Sequence, residues 1–272
     1  MRVAQAIKPK EPRNLKLTAV VCAACVVVYL VGSHLSPWSA KRGLGLAFGI
    51  AGALAFVFEM LYPARRPRAR PLGTAKAWIQ AHVYVGIIAM LAVIVHAGFA
   101  WPHGSMGLWL LGLSVWTTLT GLLGVWLQKS IPLTLSEGLR VEAIYERIPQ
   151  LVDELVVEAD TLLTDVSEVL DRFYQQELRP SLASLAPSWG YLFDVRSGRE
   201  RALEPFRRIA SFVDAAEKTK VDDLMSIYTE KMELDAQYSV QWVLRSWLVL
   251  HVPTAGLLMG LVLIHVFAWI WY

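Results

Sequence analysis

Charge-free and charged positions segregate along this chain into two kinds of territory. Five nearly charge-free apolar runs fall at about 17–34, 44–62, 80–101, 107–128 and 242–271. Each is long enough to cross a ~30 Å hydrocarbon core as an α-helix. None alternates in polarity over ~10 residues, as the strands of a membrane barrel do. Between the fourth and fifth runs the pattern changes. Apolar residues recur at 144, 148, 151, 155, 159, 162, 166, 169 and 173, in the steps of three and four that mark one stripe of an amphipathic helix. Ile148-Pro149 interrupts the stripe, which predicts a short helix ending there and a longer one starting with Pro149 in its first turn. Arg179-Pro180 should close that helix, and 181–199, with Pro187, Gly190 and Gly198, reads as irregular. A second helix is predicted over about 200–216. A third begins near Lys220 and meets no Gly or Pro before Trp242, so it is free to continue into the fifth run.

Composition sharpens this division. The chain is 55% hydrophobic and 18% charged, against roughly 25% charged in ordinary soluble domains. Residues 129–240 hold 21 of the 23 acidic residues and 13 basic ones, a balance of −8. The expected fold class is therefore an all-α integral membrane protein, a five-helix transmembrane bundle with a cytoplasmic helical insertion between helices four and five. Its expected parts are 1–128 (spans one to four), 129–240 (the insertion) and 241–272 (span five). This pattern excludes a soluble enzyme, a secreted disulfide scaffold and a disordered chain. The first run is too long for a signal-peptide core and has a poor cleavage site, so it reads as a retained helix. Cys22 and Cys25 inside it read as packing residues.

The basic residues set the expected orientation. Arg2, Lys8, Lys10, Arg13 and Lys16 precede span one, and Arg65, Arg66, Arg68, Arg70 and Lys76 lie between spans two and three. The opposite loops carry only Lys41 and Arg42. The positive-inside rule then puts the N-terminus, the loop 63–79 and the insertion in the cytoplasm. Spans three and five both run outward. The basic loop suits acidic lipid headgroups, and nothing points to nucleic acid. The insertion has no His or Cys and no phosphate-binding glycine motif. Its acidic faces read as solvated surface, or as a docking surface for a partner.

Histidine carries the candidate chemistry. Four of the six stand in two H-x13-H pairs, His82 and His96 in span three and His251 and His265 in span five. Fourteen residues at ~1.5 Å rise separate each pair by ~21 Å, and fourteen steps of ~100° leave the two side chains only ~40° apart on one face. Ionisable residues inside spans mark function by default. Glu59 is the only carboxylate inside a span. A single metal cannot use histidines ~21 Å apart, and zinc needs three or four protein ligands. Haem iron needs two axial ligands and takes the rest from the porphyrin. Because spans three and five are parallel, His82 should pair with His251 on the cytoplasmic side and His96 with His265 on the outer side. Between the ligands, Gly86, Ala89 and Val93 match Ala255, Leu258 and Val262; the small Gly86 and Ala255 would let a macrocycle approach the backbone.

The double H-x13-H pattern, with one span between the two helices and the stretch Trp247 to Pro253 around His251, resembles the di-haem membrane cytochrome b superfamily. That group comprises ferric-reductase-like transmembrane domains, NADPH-oxidase-type cores and the cytochrome b of quinol-oxidising complexes. The resemblance covers spans two to five and implies two haem b groups, with His82, His96, His251 and His265 as the metal ligands. The helical insertion, and the lack of a sixth span followed by FAD and NADPH domains, depart from the common pattern, so oxidant and reductant are not implied. Lys76 and Arg245 stand six residues before His82 and His251 and are candidate propionate partners, with Gly86 a candidate cofactor contact. His34 and His103 read as interfacial polar residues. The expected function is electron transfer across a bacterial inner membrane, between a quinone or cytoplasmic-side partner and an outer-side partner. The expected setting is a redox complex containing a c-type cytochrome or iron–sulfur protein. The alternatives are a self-sufficient quinol or metal reductase and, in a different class, a histidine-based proton or metal transporter.

Overall fold

The computed structural model describes residues 12–61, 75–135, 145–188 and 196–271, with side chains described for most of them. Of the described residues 86% are helical, and none lies in a strand. Among the described residues five helices are long and apolar enough to cross a membrane. They are α1 (Pro12–Leu35), α2 (Gly43–Met60), α3 (Ala75–His96), α4 (Ser105–Leu135) and the second half of a long final helix, α9 (Ala215–Trp271). Shorter helices lie between α4 and α9: α5 (Ile148–Leu162), α6 (Glu168–Phe173), α7 (Arg179–Ala183) and α8 (Arg196–Ile209). The chain divides into two compact units, 1–125 with 249–272, and 126–248.

In the first unit large apolar side chains face outward. Val20, Leu54, Trp109, Leu119, Val249 and Ile270 are each more than half exposed, as expected of helices that are apolar on every side. Much of what is buried between α2 and α3 is small. Gly45, Gly49 and Gly52 line the face of α2 that meets α3, where a side chain at Gly52 would touch Ala92, Val93 and the Ala89 carbonyl. Ala89, Ala92 and Val95 are buried. This is the small-residue packing by which apolar helices approach closely. α3 stops at His96, short of the 101 expected from hydropathy. Gly98 (φ +68°) and Phe99 (φ +56°) adopt left-handed backbone there, and the Phe99 N–H caps the Ile94 carbonyl at 3.0 Å. Tyr29 Oη donates to the Gly98 carbonyl and Trp38 Nε1 to the Val95 carbonyl, both at 2.9 Å. These bonds tie α1 and the α1–α2 turn to the end of α3.

The second unit has an ordinary closed core. Ile148, Val152, Leu155 and Ala159 of α5 pack with Leu170, Phe173, Tyr174, Leu178 and Leu182, with Phe206 of α8, and with Val221, Leu224 and Ile227 of α9. Pro149 lies in the first turn of α5, preceded by a 3₁₀ turn at Tyr145–Arg147. The single long helix expected after it is instead broken at 163–167. Asp165 is left-handed (φ +57°), and Ser167 restarts the chain as an N-cap, its hydroxyl accepting from Leu170 N. Ser167 is held in turn by the Glu217 carboxylate through its N–H and hydroxyl. Arg179-Pro180 does not close a helix. A π turn at Tyr174–Leu178 leads into α7, where Pro180 sits in the first turn, the position that costs no hydrogen bond. That turn is anchored by Asp160, which accepts from Tyr174 Oη at 2.5 Å and from Arg179 at 3.0 and 3.1 Å. The Arg179 hydrogen bonds, then that of Tyr174, hold the Asp160 carboxyl below the usual carboxylate range. α8 spans Arg196–Ile209 against the 200–216 expected, and α9 begins at Ala215 and runs on without a break.

Candidate functional site

α3 and the 249–271 part of α9 bring the four histidines together in two facing pairs. The imidazole centres of His82 and His251 are 6.4 Å apart with planes at 83°. Those of His96 and His265 are 6.4 Å apart with planes at 81°. The two levels thus repeat one geometry fourteen residues apart along each helix, ~21 Å at helical rise. First facing first and last facing last requires the two helices to run in the same direction.

Three of the four rings are held through Nδ1. His96 Nδ1 lies 2.8 Å from the Gly45 carbonyl. A carbonyl only accepts, so Nδ1 carries the proton. His82 Nδ1 contacts the Glu59 carboxylate, again an acceptor. His251 Nδ1 lies 2.9 Å from Thr120 Oγ1. The single Thr120 hydroxyl proton is given to the helix carbonyls of Trp116 and Thr117, at 2.9 and 3.1 Å. Thr120 oxygen therefore accepts from His251 Nδ1–H. A neutral imidazole protonated at Nδ1 carries its lone pair on Nε2, the nitrogen that could then bind a metal. A partner on the other ring nitrogen is what metal-ligating histidines characteristically have.

Glycines make room for the rings. A Cβ at Gly49 would stand 2.6 Å from His96 Nδ1 and 2.7 Å from its Cε1, so that ring position requires glycine. A Cβ at Gly121 would meet His251 Cε1 at 3.4 Å. At Gly86 an added Cβ would meet only Glu59 Oε2, at 4.0 Å, so the backbone there stays open. Leu258 and Val262, on the stripe between the α9 histidines, are buried. Gly45 also lines a cavity of about 280 Å³ with Trp38 and Arg42.

Glu59, Thr120, Gly45, Gly49 and Gly121 were not among the site residues expected from sequence. Glu59 had a signal, as the lone carboxylate in a span; the others had none. Arg245 is engaged elsewhere: its guanidinium bonds Glu146 at 2.5 Å and lies over the Tyr145 ring at 4.3 Å. The side chain of Lys76 lies outside the described residues. His34 and His103 are exposed. Cys22 and Cys25 are free thiols on α1. Among the described residues no group of three His, Cys, Asp or Glu side chains is placed to hold a metal ion unaided.

Comparison with protein-family models, curated proteins and solved structures gives no match to this chain.

Proposed function

We propose that the chain is a di-haem b-type cytochrome that moves electrons across a bacterial inner membrane. It would act between a quinone or redox partner on one side and a redox partner on the other. The carrying observation is the 6.4 Å separation of ring centres at both levels. An imidazole nitrogen lies ~1.2 Å from its ring centre and a metal–imidazole bond is ~2.0–2.1 Å. Two imidazoles trans across one metal therefore have centres ~6.4 Å apart, whereas two on a tetrahedral metal have centres ~5.2 Å apart. The spacing fits trans ligands, and with two protein donors per level the fit is to a group that brings its own equatorial ligands. His82 with His251, and His96 with His265, would hold the iron through Nε2, and Gly49, Gly86 and Gly121 would leave the rings and macrocycle room. Bound haem would supply a one-electron Fe(III)/Fe(II) couple at each level. The protein's part is to orient the imidazoles and exclude water.

The test is the visible spectrum and haem content of the full chain purified in lipid nanodiscs. The expected outcome is a Soret band and two extractable haem b per chain, non-covalent because there is no C-x-x-C-H motif. A protein without a Soret band, or with covalently retained haem, overturns the reading. Glu59 against His82 is the one observation favouring a histidine-based transporter. Histidine-dependent proton or metal flux in a haem-free protein would select that alternative.

A further inference from the structure

The two levels share one ring geometry but not one set of supports. At one level His82 Nδ1 is in contact with a carboxylate, Glu59, and His251 Nδ1 lies 2.9 Å from a hydroxyl, Thr120. At the other, His96 Nδ1–H is given to a neutral peptide carbonyl, Gly45. Glu59 stands in an apolar helix whose other residues carry no charge. Such a residue is costly in that setting. Its Oε1 is buried without a hydrogen-bond partner among the described residues. Among the described residues the polar contact the carboxylate makes is to the imidazole of His82.

We infer that Glu59 is a positioning residue for His82 that makes the two levels electronically unequal, with the couple at the His82–His251 level the more reducing. This rests on the haem reading above. A carboxylate is a stronger acceptor for an imidazole N–H than a peptide carbonyl. By drawing that proton it raises the electron density, and so the basicity, of the ligating Nε2. A more basic ligand favours Fe(III) over Fe(II). The negative charge of the carboxylate, in surroundings of low dielectric constant, favours the more positive ferric form as well. Among the described residues no carboxylate is placed against His96, which meets Gly45, Gly49 and His265.

The experiment is a potentiometric titration of the full chain in nanodiscs, read by haem absorbance, on wild type, Glu59→Gln and Glu59→Asp. His251→Ala, which removes the haem at that level, assigns the two components. In wild type the component lost in His251→Ala should have the lower midpoint. Glu59→Gln should raise it by at least tenfold in the Fe(III)/Fe(II) equilibrium constant, about 59 mV for one electron, and leave the other component in place. Glu59→Asp, which retains a carboxylate, should recover most of the shift. A component that does not rise, or two that rise together, overturns the inference, as does a wild type in which that component is the higher. If Glu59→Gln sheds the haem, Glu59→Asp decides: a retained haem with a low midpoint supports the inference, and a lost haem or raised midpoint overturns it. A wild type with no Soret band overturns the haem reading itself. A wild type with two haems and an unmoved Glu59→Gln midpoint overturns only the role of Glu59.

Discussion

At the scale of single residues, what orders the site is the set of atoms facing Nδ1. Glu59, Thr120 and Gly45 each place an oxygen against Nδ1 of one ring, which on the di-haem proposal would turn Nε2 toward the iron. Gly49 has a different part, because its missing side chain is the space His96 occupies. Gly49→Ala puts a methyl 2.6 Å from His96 Nδ1, inside any tolerable contact, so the ring must leave its position. On the di-haem proposal, the expected outcome is loss or strong perturbation of the haem that His96 and His265 would hold, with the other retained. Gly260→Ala is the control, since nothing lies within 4 Å of a Cβ there, and it should leave both haems unchanged. Equal effects of the two substitutions in reduced-minus-oxidised spectra would remove Gly49 from the site. The four histidines were legible in the sequence because their fourteen-residue spacing lies within single helices. Their supports were not: Glu59 is 23 residues from His82, Gly45 is 51 from His96 and Thr120 is 131 from His251. Only the packing of α2 and α4 against the ligand helices brings them near.

At the scale of elements, periodicity found the helices and missed how they are joined. Of the stripe expected from 144 to 173, Ile148, Leu155, Ala159 and Phe173 share a core, whereas Val169 is exposed and 144 lies outside the described residues. The break at 163–167 was invisible because both sides of it present residues to the same core. The left-handed Asp165 and the Ser167 cap carry no periodic signal. The same core contains a charge. Lys231 is 2% exposed and donates to both Asp235 oxygens at 2.7 Å and to the Ser184 carbonyl at 2.6 Å. Burial raises the Asp235 carboxyl above its ordinary range and Lys231 opposes that rise. Lys231→Met would leave this carboxylate without its cation. Breaking a buried pair on one side costs about 3–5 kcal/mol, and Asp235 retains some exposure, so the lower end is expected. Hydrogen exchange over 148–182 should then quicken by about 100-fold or more, at ~1.4 kcal/mol per factor of ten. Lys231→Met combined with Asp235→Leu should recover much of the loss, because an apolar pair of similar volume replaces an ion pair at little cost. A single variant that exchanges like wild type would show that the pair contributes nothing to the fold.

At the scale of the whole molecule, the four paired histidines and the residues facing them belong to one compact unit. Gly45, Gly49, Glu59, His82, His96, Thr120, Gly121, His251 and His265 all fall within 1–125 and 249–272. The second unit brings a core of its own and an acidic surface, with no His or Cys in 129–240. Hydropathy had already separated the two along the chain. It could not fix whether the last insertion helix and the last span were one helix, since the absence of Gly and Pro permits continuity without requiring it; Ala215–Trp271 is continuous. This division leads to a prediction about haem retention. Replacing 140–215 by a flexible linker removes α5 to α8 and uncovers Val221, Leu224 and Ile227 of α9, which pack in their core. Changing those three to Gln in the same variant avoids a new apolar patch. On the di-haem proposal, with every residue that touches one of the four imidazoles left in place, such a chain should keep both haem components, with absorption maxima and midpoints near wild type. Reduction by its physiological partner should fall, because an acidic helical surface is suited to docking and has no ligand chemistry of its own. Membrane fractions containing the shortened protein but neither haem would show instead that 126–248 is needed to hold the ligand helices together. Retention of both haems with unimpaired reduction would remove the docking role and leave the unit without a part in electron delivery.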